Sequence, residues 1–158
     1  MTWKNTSMTK NGENRMVAKE SNPYMPKSKS DVHITPRRVW EMIESTWGHK
    51  KTDFYDPCPL NPQQDGLTLP WTKLNFVNPP YGQRTNPLLM LFVVKAHYET
   101  RWEKNETILL LPAKTDQDWF HDYILEPGYE ILWIRKRLKF EGEKSGATQP
   151  HFLVRMTP

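Results

Sequence analysis

The chain has 158 residues, a length that suits one domain, and 37% of them are hydrophobic, enough for a single packed core. Its formal charge is +4, and the whole excess lies in residues 1–30, where Lys4, Lys10, Arg15, Lys19, Lys27 and Lys29 outnumber Glu13 and Glu20. The single cysteine, Cys58, excludes an internal disulfide and points to a reducing compartment. The longest apolar run, Leu88 to Val94, is too short to span a bilayer, and no apolar leader stands at the start. These features read as a soluble, intracellular protein of the cytoplasm, with no membrane partner. The five histidines show no zinc-ligand spacing supported by cysteines or carboxylates, so no metal is expected.

Residues 1–30 are rich in Asn, Ser, Lys and Thr without periodicity and read as a flexible basic arm. Such an arm suits a polyanion; a solvated terminus without a partner is the alternative. Residues 31–158 form the domain. Thr35-Pro36 reads as a hydroxyl cap followed by proline at the first helical position. Val39, Trp40, Ile43 and Trp47 follow at helical spacing, and Gly48 stops the helix. Residues 53–57 read as a short strand ending at an acid, and the proline-rich stretch 58–73 as loop. Leu74 to Val77 is a second strand. Asn86-Pro87 repeats the cap-then-proline start for a helix running to about Trp102. Thr107 to Leu111 is apolar throughout, as in a strand buried on both faces. Thr115 to Asp118 has capping-box spacing and opens a helix through Trp119 to Ile124. Residues 130–134, 138–140 and 152–156 read as late strands. Strands alternate with helices and then accumulate. This implies an α/β domain with a mostly parallel sheet and antiparallel C-terminal strands. Ligands of such sheets bind at the carboxyl ends of the strands.

Asn78-Pro79-Pro80-Tyr81 follows one of those ends and is the strongest motif in the chain. An exocyclic amine on a nucleobase is a poor nucleophile, because its lone pair is delocalised into the ring. Two acceptors on its two N–H groups localise that pair. The side-chain carbonyl of Asn78 and the backbone carbonyl of Pro79 can supply them. The prolines stiffen the loop, so both acceptors are held before substrate arrives. Tyr81 offers a flat face for a base. A proline-rich turn with a packing tyrosine is the alternative.

The ordered set Thr35-Pro36, Asp56-Pro57, Asp65-Gly66-Leu67, Trp71, Asn78-Pro79-Pro80-Tyr81-Gly82, residues 111–116 with Trp119-Phe120-His121, and Arg137-Leu138-Lys139-Phe140 resembles the small phage-type DNA N-6-adenine methyltransferase family. The resemblance covers about residues 31–156. It implies a compact, truncated class I fold and S-adenosyl-L-methionine as methyl donor to the amino group of adenine in DNA, with base flipping. It implies catalytic roles for Asn78, Pro79, Pro80 and Tyr81, and cofactor contacts from Thr35, Pro36, Asp56, Pro57, Asp65 and Asn78. Substrate contacts fall to Tyr81, Lys114, His121 and Arg137. Trp119 reads as core. Arg135, Lys136, Arg137 and Lys139 form a basic cluster that could hold phosphates or simply guard a sheet edge.

The chain also departs from the usual pattern. Cys58-Pro59-Leu60 stands where a Gly-rich cofactor loop is expected. Only 22 positions separate Asp56 from Asn78, too few for the extra strands of a full-size methyltransferase. Arg135-Lys136 replaces a frequent Gly before the Arg, and no separate recognition domain is visible, leaving loops such as 141–150 for selectivity. The rival functions are methyl transfer to the cytosine amino group, to RNA or to a protein glutamine, and a non-catalytic nucleic-acid-binding module.

Overall fold

A computed structural model describes residues 33–60, 62–81 and 87–158. The basic arm, the boundary at Asp31, the cap at Asn86 and the glycine at 82 lie outside the described residues.

Helix α1 (Arg37–Trp47) ends at Gly48 in the left-handed conformation with φ 77°. Its N-cap is Pro36, and no side chain caps it. The Thr35 hydroxyl expected there is drawn instead to Asn78. Strand β1 (Leu74–Val77), helix α2 (Leu88–Arg101) and strand β2 (Glu106–Pro112) follow as the sequence suggests. A single α-turn, α3 (Asp118–Phe120), continues into a π-helical turn over His121–Leu125. The capping box at Thr115 does not form: Gln117 is the N-cap, and the Thr115 carbonyl meets His121 Nε2 at 2.8 Å. Strands β3 (Glu130–Trp133) and β4 (His151–Met156) complete the sheet.

The sheet order is β1-β2-β4-β3. Only β1–β2 pairs in parallel; β4 is antiparallel to both β2 and β3. The expected mostly parallel sheet is therefore corrected to a mixed one. A parallel neighbour needs a long crossover, usually helical. The segment between β3 and β4 holds no helix, so the chain reverses and β4 takes a central place.

Two expected strands are shorter or absent. Of residues 53–57 only Tyr55 pairs, through a parallel bridge to Asn75. Lys51–Asp53 is a 3-10 turn closed by Lys50 N–H on Asp53 Oδ2 (2.7 Å), and Pro57 has no N–H to extend a ladder. Leu138 and Phe140 alternate into the core as strand residues would. Their carbonyls instead accept turn bonds, from Ala147 (2.7 Å) and Glu143 (3.2 Å).

Alternation along the strands builds two cores. Val77, Leu109, Leu111, Phe152, Val154 and Met156 pack with α2, Trp119 and Ile124. Phe76, Ile108, Leu110 and Leu153 pack with Val39, Ile43, Leu138 and Phe140. Both faces of β2 are covered, which is why its sequence is continuously apolar. Glu106 ties the other end of the sheet together, bonding Arg155 Nε (2.7 Å) and His49 Nε2 (3.1 Å).

The loop before β1 is anchored by Gly66. A Cβ there would lie 1.8 Å from the Pro57 carbonyl oxygen, and the Gly66 carbonyl accepts the Trp71 indole N–H at 2.8 Å. Gly66→Ala is expected to destabilise the chain by about 1–3 kcal/mol, as overpacking does. Urea unfolding of the variant checks this; an unchanged midpoint would contradict the contact.

Candidate active site at the carboxyl edge of the sheet

Three strand ends meet at one edge. Asn78 follows β1, Pro112 closes β2, and His151 opens the antiparallel β4 opposite Pro112. Asp56 lies just beyond the bridge from Tyr55 to Asn75. The edge thus collects residues far apart in the chain.

Asn78 is nearly buried. Its Nδ2 donates to the His33 carbonyl (2.8 Å) and to Thr35 Oγ1 (3.2 Å). With both N–H groups committed, the amide has one orientation, and Oδ1 is its remaining end. That oxygen accepts the Tyr81 hydroxyl at 2.7 Å. Pro79 and Pro80 are buried, and among the described residues the Pro79 carbonyl has no hydrogen-bond partner. Tyr81 does not extend a free face outward. It packs between the two cores, its ring 5.4 Å from His33, 5.3 Å from His151 and 6.1 Å from Phe140. Burial, and then the negative Glu143, push its hydroxyl pKa well up, so it stays a donor.

Two hollows adjoin this cluster. One, of about 120 Å³, is lined by His33, Thr35, Trp40, Lys51, Asp56 and Asn78 among others. The other, of about 410 Å³, is lined by His33, Tyr81, Lys114, Phe140, His151 and the loop from Glu143 to Gln149. His33 borders both, stacks 4.6 Å from Phe140, and meets Glu143 Oε1 at 2.5 Å through Nδ1.

Asp56 is exposed at its residue surface, yet withdrawal of water raises its carboxyl pKa. The Cys58 N–H (2.8 Å) and the nearby Lys51 pull it back down. Burial, reinforced by Asp56 and Asp65, pushes the Cys58 thiol up to about 12, so it is neutral and inert. Pro36 and Pro57 are buried and support the chain around the smaller hollow without lining it.

Other expected site residues lie elsewhere. Asp65 accepts from Leu67 N–H (2.9 Å) and closes an Asp-Gly turn. It borders a third hollow with Leu67, Lys95 and Tyr98, which shares no lining residue with the other two. His121 is exposed and bonded to the Thr115 carbonyl. Arg137 is exposed and reaches the Thr148 carbonyl, supporting the loop from outside the larger hollow. Of the substrate candidates, Tyr81 and Lys114 line that hollow.

Sequence reasoning missed His33, Lys51 and His151. No local pattern marks them: His33 and His151 reach the edge through contacts with distant segments, and Lys51 sits in the turn that precedes the bridge from Tyr55 to Asn75. The loop 141–150, singled out for selectivity, does supply much of the larger hollow's wall.

Among known proteins, the family model of DNA N-6-adenine-methyltransferases (Dam) matches residues 22–156. The chain belongs to this Dam family. No curated protein and no solved structure matches it. Membership makes the chain a DNA methyltransferase by family, and the matched span includes the whole carboxyl edge of the sheet. Among the described residues of this Dam-family chain, no group of three or more His, Cys, Asp or Glu could hold a metal ion. None of its described helices is long and apolar enough to cross a membrane.

His151 gives the site a pH signature. It is 3% exposed, and burial lowers its pKa from 6.5 to about 4 despite a bond of Nδ1 to the Gln149 carbonyl. The unfolded chain therefore takes up this proton near pH 6.5, while the folded chain resists until about pH 4. Stability from this group is complete above pH 6.5 and is lost as pH falls toward 4. Denaturation of wild type and His151→Gln at both pH values checks this. The wild type is expected to lose about 3 kcal/mol more across the window.

Proposed function

We propose that this chain transfers a methyl group from S-adenosylmethionine to the exocyclic amino group of adenine in DNA, on a compact, truncated class I fold. The observation that carries the reading is the carboxamide of Asn78, pinned through both N–H groups, lining the smaller hollow, and bonded through Oδ1 to Tyr81, which lines the larger one. When bound, S-adenosylmethionine supplies a methyl group made electrophilic by its positive sulfur. The residues present fit that group. Asp56 offers a carboxylate for its ammonium, with Thr35 and Asn78 on the same wall. A hollow of about 120 Å³ is smaller than the roughly 300–1,000 Å³ typical of whole-ligand pockets, so it takes one end of the cofactor.

The chain's own part is positional. Asn78 Oδ1 and the Pro79 carbonyl accept the two N–H groups of the flipped base and localise the amine's electron pair. The stiff loop holds both oxygens in advance. The larger hollow, with aromatic walls and Lys114, receives the base. Stacking there offsets part of the cost of extrusion from the duplex. After transfer the methylated nitrogen carries a positive charge and loses a proton to water, so no catalytic base is required.

Tyr81 has two states in this scheme. Its hydroxyl now fills the acceptor position that the substrate amine needs. It must release Asn78 Oδ1 for the base to bind, and its ring then stacks on the base.

Two experiments test the reading. With unmethylated DNA and labelled S-adenosylmethionine, Asn78→Ala is expected to lose roughly 100- to 1,000-fold or more in kcat, a far larger loss than the one in cofactor affinity read by calorimetry. Undiminished turnover sinks the assignment. Nucleoside mass spectrometry of the product identifies the methylated base. Tyr81→Phe, which frees Asn78 Oδ1 but keeps the ring, is expected to turn over at least as fast as wild type. Tyr81→Ala is expected to weaken DNA binding by about 1–3 kcal/mol, the worth of a stacked base.

A further inference from the structure

We propose that Arg135, Lys136 and Lys139, with Arg38 beside them, grip the DNA backbone on the rim of the larger hollow, and that Lys136 is kept there in spite of backbone strain. The proposal rests on the methyl-transfer reading above and names the side chains that hold the phosphates next to the flipped nucleotide.

Residues 134–140 follow β3 and run along that rim. The Ile134 N–H donates to the His151 carbonyl (3.2 Å), the Leu138 carbonyl accepts the Ala147 N–H (2.7 Å), and Arg137 reaches the Thr148 carbonyl. His151, Ala147 and Thr148 all line the hollow, as does Phe140. Ile134, Leu138 and Phe140 are buried, whereas Arg135, Lys136, Arg137 and Lys139 are exposed. Arg38, also exposed, joins them from α1 by donating to the Arg135 carbonyl. Among the described residues, Arg38, Arg135, Lys136 and Lys139 form no salt bridge. Like charges gathered without partners repel one another, and a polyanion laid across them relieves the repulsion. They have no strand edge to guard, because β3 ends at Trp133 and no described strand takes in 135–139.

Lys136 is the decisive residue. Its φ is 63°, in the left-handed region that any side chain with a Cβ disfavours. Lys104, with φ 58°, shares that conformation, but there the reason is local. Lys104 lies past the end of α2, at the opposite edge of the sheet, and its Nζ bonds the Arg101 carbonyl at 2.8 Å. The Lys136 ammonium has no such bond among the described residues. Glycine would relax the turn at 136. A strained position held by an unpaired cation is accounted for by a partner outside the chain, and its place on the rim of the hollow assigned to the base makes that partner the adjoining phosphates.

Fluorescence anisotropy over a range of salt, with the full chain and an unmethylated mixed-sequence DNA duplex, tests this beside thermal unfolding. Lys136→Gly is expected to raise the melting temperature, because strain is relieved, and yet to weaken DNA binding. The slope of log K against log salt is expected to become shallower by about 0.9, the share of one phosphate contact. Lys136→Arg is expected to keep the wild-type slope. Lys104→Gly, which removes the same charge at the opposite edge, is expected to leave the slope unchanged. If Lys136→Gly melts no higher than wild type, or keeps the full slope, the proposal is overturned. It is overturned as well if Lys104→Gly lowers the slope as much. In those cases methyl transfer to DNA by the wild type still upholds the reading above. If the wild type and variants bind as expected but no methyl group is transferred, that reading falls and the phosphate grip stands. If the wild type does not bind the duplex, both fall.

Discussion

Both N–H groups of the Asn78 carboxamide are committed to oxygens of the segment leading into α1, the His33 carbonyl and the Thr35 hydroxyl. An amide free to flip would present a donor or an acceptor with similar ease. Pinned in this way it presents only its oxygen. The prolines that follow cannot relax the turn, and β1 fixes where the turn begins. The chemistry proposed for the chain needs an acceptor set in advance, and this constraint provides it.

The same constraint explains why the first described residues matter as much as the motif. His33 contributes a carbonyl to Asn78, a ring to the stack with Tyr81 and Phe140, and a contact to Glu143 in the loop 141–150. It borders both hollows. The wall between the larger and the smaller hollow is therefore built from a segment more than forty residues before the motif. Tyr81 closes the arrangement by donating to the acceptor itself. In this state the Asn78 oxygen is paired, which avoids the cost of a buried, unsatisfied acceptor.

Buried groups at the edge stay neutral, while charged side chains line the hollows, Lys114 and Glu143 the larger and Lys51 and Asp56 the smaller. Burial keeps Tyr81, Cys58 and His151 uncharged near neutral pH. Lys51 and Asp56 supply opposite charges on one wall.

The sequence by itself determined the local parts. Helical spacing and Gly48 marked α1, the apolar run marked β2, and the tetrapeptide after Val77 marked the acceptor turn. These signals come from neighbours a few residues apart, where steric and hydrogen-bonding preferences act directly. The tertiary structure alone decided the rest. It drew Thr35 away from its helix and onto Asn78, and it used Leu138 and Phe140 as core without a ladder. It also inserted β4 antiparallel at the centre of the sheet and brought His33, Lys51 and His151 to the edge. Each of these depends on which distant backbone or side chain competes best for a given polar group or cavity. That competition is settled only when the segments are packed together.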